Sequence, residues 1–272
     1  MRLLFITDLH GDSRKYDKLY KTAQQHHVDI IVNGGDMLPK NGNPFQQDRF
    51  ITRYLHKHFQ RFEQAKLHYL CYLGNDDLKI FDPIFEETCQ QYQYIQNLAQ
   101  HKVMIHDREF IGMNWVVDYP FRLKDRCRKD TTDYIFQQQF GTGLLSTVNG
   151  WKELDNWCEY ANTLPTIADE LQQLPQPANM QQTVYVMHMP PAHLGLDVCG
   201  HGEKVGSIAI YQFLRAYQPR YALHGHIHES PEVSGIWKAS LGKTMCIQPG
   251  QMAQYTYVII DFEMNTIERL IE

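Results

Sequence analysis

Long apolar runs are missing from this 272-residue chain: no stretch reaches the roughly 18 consecutive apolar residues that a membrane span needs. With Arg2 to Thr7 already strand-like after Met1, neither an anchor nor a secretory leader is expected. Paired cysteines are missing too. The six present, Cys71, Cys89, Cys127, Cys158, Cys199 and Cys246, stand at no metal-binding or redox spacing. They suit isolated thiols in a reducing compartment, so a cytoplasmic location is expected. Positive charge is scarce: 26 Lys and Arg against 31 Asp and Glu leave a formal net charge of -5, without the basic bias of a phosphate-tracking nucleic-acid binder. There is no internal repeat, no Gly-x-Ser-x-Gly elbow and no Cys and His nucleophile pair, so covalent hydrolase chemistry has no foothold.

What is present is a large apolar fraction, 43%, enough for a sizeable core in one large domain or two small ones. Short apolar runs bounded by turn residues recur at Leu3 to Thr7, Asp29 to Val32, Leu67 to Leu73, Thr183 to Met187, Tyr221 to Leu223, Thr244 to Ile247 and Thr256 to Phe262. They predict buried strands. Between them lie helix-period segments: Ser13 to His26, capped by Ser13 with Tyr16, Leu19, Tyr20 and Ala23 on one face; Gln46 to Gln64; and a segment after Ser207 carrying Ile208, Tyr211 and Leu214 and stopped at Gln218-Pro219. Alternating strands and helices predict an α/β fold with helices covering sheets. Tyr257 to Phe262 and Thr266 to Ile271 predict a closing hairpin. From Asp118 to Leu164 the rhythm fails, and residues 118–164 are expected to be an insertion or cap within a single domain spanning 1–272.

The fourteen histidines carry the chemical signal. The first strand ends in Asp8-Leu9-His10, the second in Gly34-Gly35-Asp36, the third in Gly74-Asn75-Asp76-Asp77, the fourth in His188-Met189-Pro190-Pro191, and the fifth in His224-Gly225-His226-Ile227-His228. Taken singly, the first four are ordinary turns, caps or a core histidine. Three imidazoles packed as in the fifth repel on protonation and rarely serve packing. All five clusters follow one rule: each sits where an apolar run gives way to Gly, Pro or Asn. In open α/β sheets ligands bind at the carboxyl ends of strands. Imidazole, carboxylate and amide donors without thiolate suit Mn²⁺, Fe²⁺ or Zn²⁺. Seven donors, Asp8, His10, Asp36, Asn75, His188, His226 and His228, exceed the needs of one ion, which points to two ions sharing a carboxylate.

The order Asp-x-His, Gly-Asp, Gly-Asn, His, Gly-His-x-His resembles the calcineurin-like metallophosphoesterase superfamily. From His188 to Ser230 the resemblance narrows to the Icc-related predicted phosphoesterases, through His-x-Pro-Pro, Val205-Gly206-Ser207, Gln218-Pro219 and Gly225-His226-Ile227-His228-Glu229. The resemblance implies a four-layer α-β-β-α sandwich of two sheets flanked by helices. It implies that Asp8, His10, Asp36 and His228 hold a first metal, that Asp36, Asn75, His188 and His226 hold a second, and that Asp36 bridges. The implied reaction is hydrolysis of a small phosphodiester or phosphomonoester by a metal-bridging hydroxide, with Asn75, Asp76, Asp77 and His226 at the reacting group.

After Gly74-Asn75, many relatives carry His as a candidate general acid, whereas this chain has Asp76 and Asp77. Two carboxylates there should penalise a dianionic monoester more than a monoanionic diester. A small nuclease would need a basic groove or stacking aromatics along the insertion; Arg122, Lys124, Arg126, Arg128 and Lys129 are the only such cluster, and a solvated charged face is the favoured explanation for it. A catalytically inactive scaffold for protein partners would be marked by lost ligands, and all seven positions are filled.

Overall fold

The computed structural model describes residues Met1–Glu272. Four parallel strands, β1 (Arg2–Ile6), β2 (Ile30–Asn33), β3 (His68–Cys71) and β4 (Ile95–Asn97), begin a first sheet. An antiparallel hairpin, β5 (Lys102–Ile105) and β6 (Arg108–Met113), begins a second. Two small ribbons follow, β7 (Val116–Val117) with β8 (Cys127–Arg128), and β9 (Gly143–Thr147) with β10 (Gly150–Leu154). The chain then supplies β11 (Thr183–Met187), β12 (Tyr221–Leu223), β13 (Lys238–Leu241), β14 (Thr244–Ile247), β15 (Thr256–Asp261) and β16 (Thr266–Ile271). The first sheet runs β16-β15-β1-β2-β3-β4 and the second β13-β14-β12-β11-β6-β5. Both are mixed: β15 meets β1 antiparallel, as β13 meets β14.

The apolar runs are continuous because both faces of each central strand are covered. Side chains alternate across the pleat. Leu3 and Phe5 join Val184, Val186 and Leu223 between the two sheets, while Leu4 and Ile6 join Tyr16, Leu19, Leu55 and Phe59 beneath the first sheet's helices. Tyr185 and Met187 point the other way, to Ile210, Leu214 and Trp157 under the second sheet's helices. Three cores thus separate four layers, helix, sheet, sheet, helix, as the resemblance implies. No helix is long and apolar enough to cross a membrane.

The first helix, Ser13–Gln25, buries Tyr16, Leu19, Thr22 and Ala23, but its cap is Asp12 rather than the expected Ser13; the Asp12 carboxylate accepts from the backbone N–H of Arg14 and Lys15. The second runs from Gln47 to Gln64 with a π-wound middle, Phe50–Leu55. The third, Ile208–Tyr217, is capped by Ser207 and ends at Gln218 in the left-handed conformation; it buries Ala209, Ile210 and Leu214, whereas Ile208 is exposed. Four strands of the two large sheets, β4, β5, β6 and β13, and the four short strands of the ribbons, β7 to β10, are not predicted by the apolar runs.

Candidate metal centre

Every chemical cluster lies just past a carboxyl end: Asp8 and His10 after β1, Asp36 after β2, Asn75 after β3, His188 after β11, and His226 and His228 after β12. Because β1, β2 and β3 are parallel, as are β11 and β12, their ends gather along one edge of the sandwich. The two sheets are tied there. His226 N–H donates to both Asp8 carboxylate oxygens at 3.2 Å, while within the second sheet Gly225 N–H donates to His188 O at 2.9 Å.

Two groups of donors emerge. In one, His10 Nε2 lies 3.0 Å from His228 Nε2, His228 Nε2 lies 3.4 Å from Asp8 Oδ1, and His10 Nε2 lies 3.9 Å from Asp36 Oδ2. One ligand atom from each of Asp8, His10, Asp36 and His228 falls within 4.8 Å of all the others. In the other, Asn75 Oδ1 is 2.9 Å from His188 Nε2 and 2.7 Å from His226 Nδ1, and Asp36 Oδ2 is 3.5 Å from His188 Nε2. Asp36 therefore touches both groups. Its remaining oxygen accepts the backbone N–H of Asp76 at 2.9 Å.

This packing suits a cation. Burial drives His10 down to about 4 and His226 down to about 3, so their ring nitrogens keep lone pairs at neutral pH. Burial also opposes charge on His188, but Asp36 and Asp8 outweigh it and raise it to about 9. Asp8 and Asp36 are held below the ordinary carboxylate range, against burial, by His228 and His188 respectively. His188 Nδ1 lies 2.7 Å from the Gly34 carbonyl, which fixes the proton on Nδ1 and turns Nε2 inward as a donor atom. Strain marks the same place. Of eleven non-glycine residues with positive φ, four are Asp8, His10, Asp36 and His226. Each such conformation costs about 1–3 kcal/mol and persists only where surroundings enforce it.

The calcineurin-like phosphoesterase model matches residues 1–230. The chain belongs to the calcineurin-like phosphoesterase family. It is accordingly a metal-dependent phosphoesterase. One solved structure aligns over 99% of this chain and 98% of its own at 18% identity, with a TM-score of 0.63. TT1561 of Thermus thermophilus aligns over 99% and 98% at 15% identity and a TM-score of 0.59, and a dimetal phosphatase from Danio rerio over 95% and 91% at 10% identity and 0.51. At such identities the likeness is one of fold. None of the curated proteins matches the sequence.

Within this phosphoesterase two expectations are corrected. Asp77 does not reach the cleft: it is fully buried, and its carboxylate accepts from the backbone N–H of Met37, Leu38 and Gly74 at 2.9, 2.8 and 2.8 Å. Asp77 clamps the Asp36 loop to the Asn75 loop. The basic cluster is neither a solvated face nor a groove. Lys124, Arg126 and Arg128 are buried against Asp118, Asp82 and Glu170, and Arg126 also donates to the Gly74 carbonyl at 2.8 Å. Only Arg122 of the five is exposed.

Asp76 is at the cleft, its Oδ1 accepting from Asn75 Nδ2 at 3.0 Å and its Oδ2 lying 3.8 Å from His10 Nδ1. The cleft has a volume of about 540 Å³ and is lined by Asp36, Asn75, Asp76, His226 and His228 together with Tyr119, Phe121 and Phe140. Other positioning residues were not foreseen. Gln248 Nε2 donates to the Gly225 and Ile227 carbonyls, holding the Gly-His-Ile-His loop; Gln251 Nε2 donates to Thr7 O, holding the Asp8 loop; Asn114 Nδ2 donates to Leu73 O, holding the Asn75 loop. Gln248 directly follows β14 and Gln251 follows the Pro249-Gly250 turn, the same strand-to-turn signal that marks the candidate ligands. His224 is a core histidine: buried, driven down to about 4 by that burial, with Nδ1 3.1 Å from the Met187 and Met189 carbonyls.

Proposed function

We propose that the chain hydrolyses a small phosphodiester using two divalent ions of the Mn²⁺, Fe²⁺ or Zn²⁺ class. Asp8, His10, Asp36 and His228 would hold one ion, Asp36, Asn75, His188 and His226 the other. The observation that carries this reading is the Asp36 carboxylate, which lies against both donor groups. When bound, such a pair activates water and neutralises phosphoryl oxygens.

The chain's own groups supply the rest. Asn75 Nδ2 spends one N–H on Asp76 and keeps its second for a phosphoryl oxygen. Asp76 places a carboxylate at the cleft, which favours a monoanionic diester over a dianionic monoester. Residues 118–164 act as a cap, since Tyr119, Phe121 and Phe140 line the cleft and the Tyr119 ring lies 5.9 Å from that of His226. The nuclease alternative loses its basic groove to the buried ion pairs of Lys124, Arg126 and Arg128. Six free thiols fit a reducing compartment, so a cytoplasmic setting belongs to the same proposal.

The test is hydrolysis by protein reconstituted with Mn²⁺. Bis(p-nitrophenyl) phosphate should be cleaved with a higher kcat/KM than p-nitrophenyl phosphate, and a chelator should abolish the activity until metal is restored. No cleavage of either ester with Mn²⁺, Fe²⁺ or Zn²⁺ would overturn the proposal.

A further inference from the structure

One wall of the cleft is a file of aromatic rings leading away from the metal ligands. The ring of Tyr119 lies 5.9 Å from His226, Phe121 lies 5.9 Å from Tyr119, and Phe140 lies 5.4 Å from Phe121, centroid to centroid. Phe121 and Phe140 are 62% and 69% exposed, although phenylalanine gains by leaving water. They are not loose. Phe140 N–H donates to Pro120 O at 2.8 Å, and Tyr119 OH donates to Leu123 O at 3.0 Å. Beneath them the fully buried Asp118 carboxylate accepts from Lys124 Nζ at 2.7 Å and from Trp157 Nε1 at 2.8 Å. The rings therefore stand in place before a ligand arrives, and an occupant bears little of the cost of ordering them.

The rest of the cleft limits what that occupant can be. Glu203 and Glu229 line it along with Asp76, and Lys40 is the one lysine or arginine that does. A second or third phosphate, or a nucleic-acid backbone, would meet carboxylates away from the metal ligands. An uncharged flat ring would meet aromatic faces and edges instead.

We propose that Tyr119, Phe121 and Phe140 form a ring-binding subsite that selects phosphoesters with a single phosphoryl group and a planar aromatic substituent, an aryl group or a nucleobase. This rests on the hydrolase function proposed above, which puts the phosphoryl group at the metal ligands. Titration calorimetry on the full chain loaded with Mn²⁺ tests it, using methylphosphonate, phenylphosphonate and a nucleoside 5′-phosphonate, whose carbon–phosphorus bonds are not esters. At least one ring-bearing anion should bind about tenfold tighter than methylphosphonate, in line with the stacking of one ring on aromatic side chains. Tighter phenylphosphonate identifies an aryl ligand, tighter nucleoside phosphonate a nucleobase. In Phe121→Ala/Phe140→Ala, whose exposed positions put the fold at no risk, the ratio should fall to within about twofold, and Phe121→Tyr should keep it. Equal binding of all three anions by the wild type, no binding of any, or a preference that survives the double substitution overturns the subsite. Hydrolysis of bis(p-nitrophenyl) phosphate measured in parallel separates the two proposals. Hydrolysis without ring preference sinks the subsite alone, and ring preference without hydrolysis sinks the hydrolase reading alone.

Discussion

At the scale of single residues, the proposed two-ion centre depends on Asp36 more than on any other donor. His10 serves one donor group; Asp36 lies 3.9 Å from His10 on one side and 3.5 Å from His188 on the other. Asp36→Asn should therefore abolish turnover and lower the bound metal to one ion or none, while His10→Gln should retain measurable activity and a second ion. Near wild-type kcat in Asp36→Asn at saturating metal would show that it bridges nothing. Asp76 offers a second test. Replacing its carboxylate with imidazole attracts the monoester dianion and supplies a proton donor, so Asp76→His should raise kcat/KM for p-nitrophenyl phosphate relative to its bis ester. An unchanged ratio would mean that Asp76 acts only through its hydrogen bond to Asn75. In sequence Asp76 and Asp77 are equivalent; their separation into cleft and clamp depends on three backbone N–H groups, two of them forty residues away.

At the scale of elements, the strand-to-turn clusters and the long helices were legible because periodicity and punctuation are local signals. The β5–β6 hairpin was not: Lys102, Arg108 and Glu109 interrupt its apolar run, and buried Glu109 is satisfied by the backbone N–H groups of Ala178 and Asn179, far along the chain, as well as by Lys102 at 3.1 Å. The buried cations failed for the same reason, since Arg126 and Arg128 find Asp82 and Glu170 more than forty residues away. The Gln47–Gln64 helix carries an unforeseen cost of its own. His58 is buried with both ring nitrogens unpartnered, among Tyr16, Phe62 and Tyr69 at 4.9, 4.8 and 5.7 Å. Burial, aided by Arg61, drives it down to about 3. The unfolded chain, with an ordinary histidine near 6.5, binds more protons between those values, so stability falls as pH drops below about 6.5. His58→Phe removes that loss. Whatever the offset at pH 8, the stability difference in favour of the variant should widen by about 1.4 kcal/mol per pH unit below 6 in denaturant titrations. Parallel pH profiles for the two proteins would mean that His58 is solvated or paired.

At the scale of the whole molecule, two mixed sheets pack face to face so that five strand ends from separate parts of the chain meet on one edge. The donors come from residues 8 to 228. That convergence was legible because each donor follows the same strand-to-turn rule; the braces from Gln248, Gln251 and Asn114 were not, because an amide that holds a carbonyl leaves no pattern of its own. The proposed cap likewise depends on tertiary placement, with Tyr119 brought against His226 across more than a hundred residues. The central claim is that one edge of this sandwich holds two ions through seven side chains. Metal content of the purified full chain after equilibration with excess Mn²⁺ and removal of free metal tests it most directly. Two equivalents per chain, falling to one or none in Asp36→Asn, is the predicted result. One equivalent or none in the wild type would contradict it.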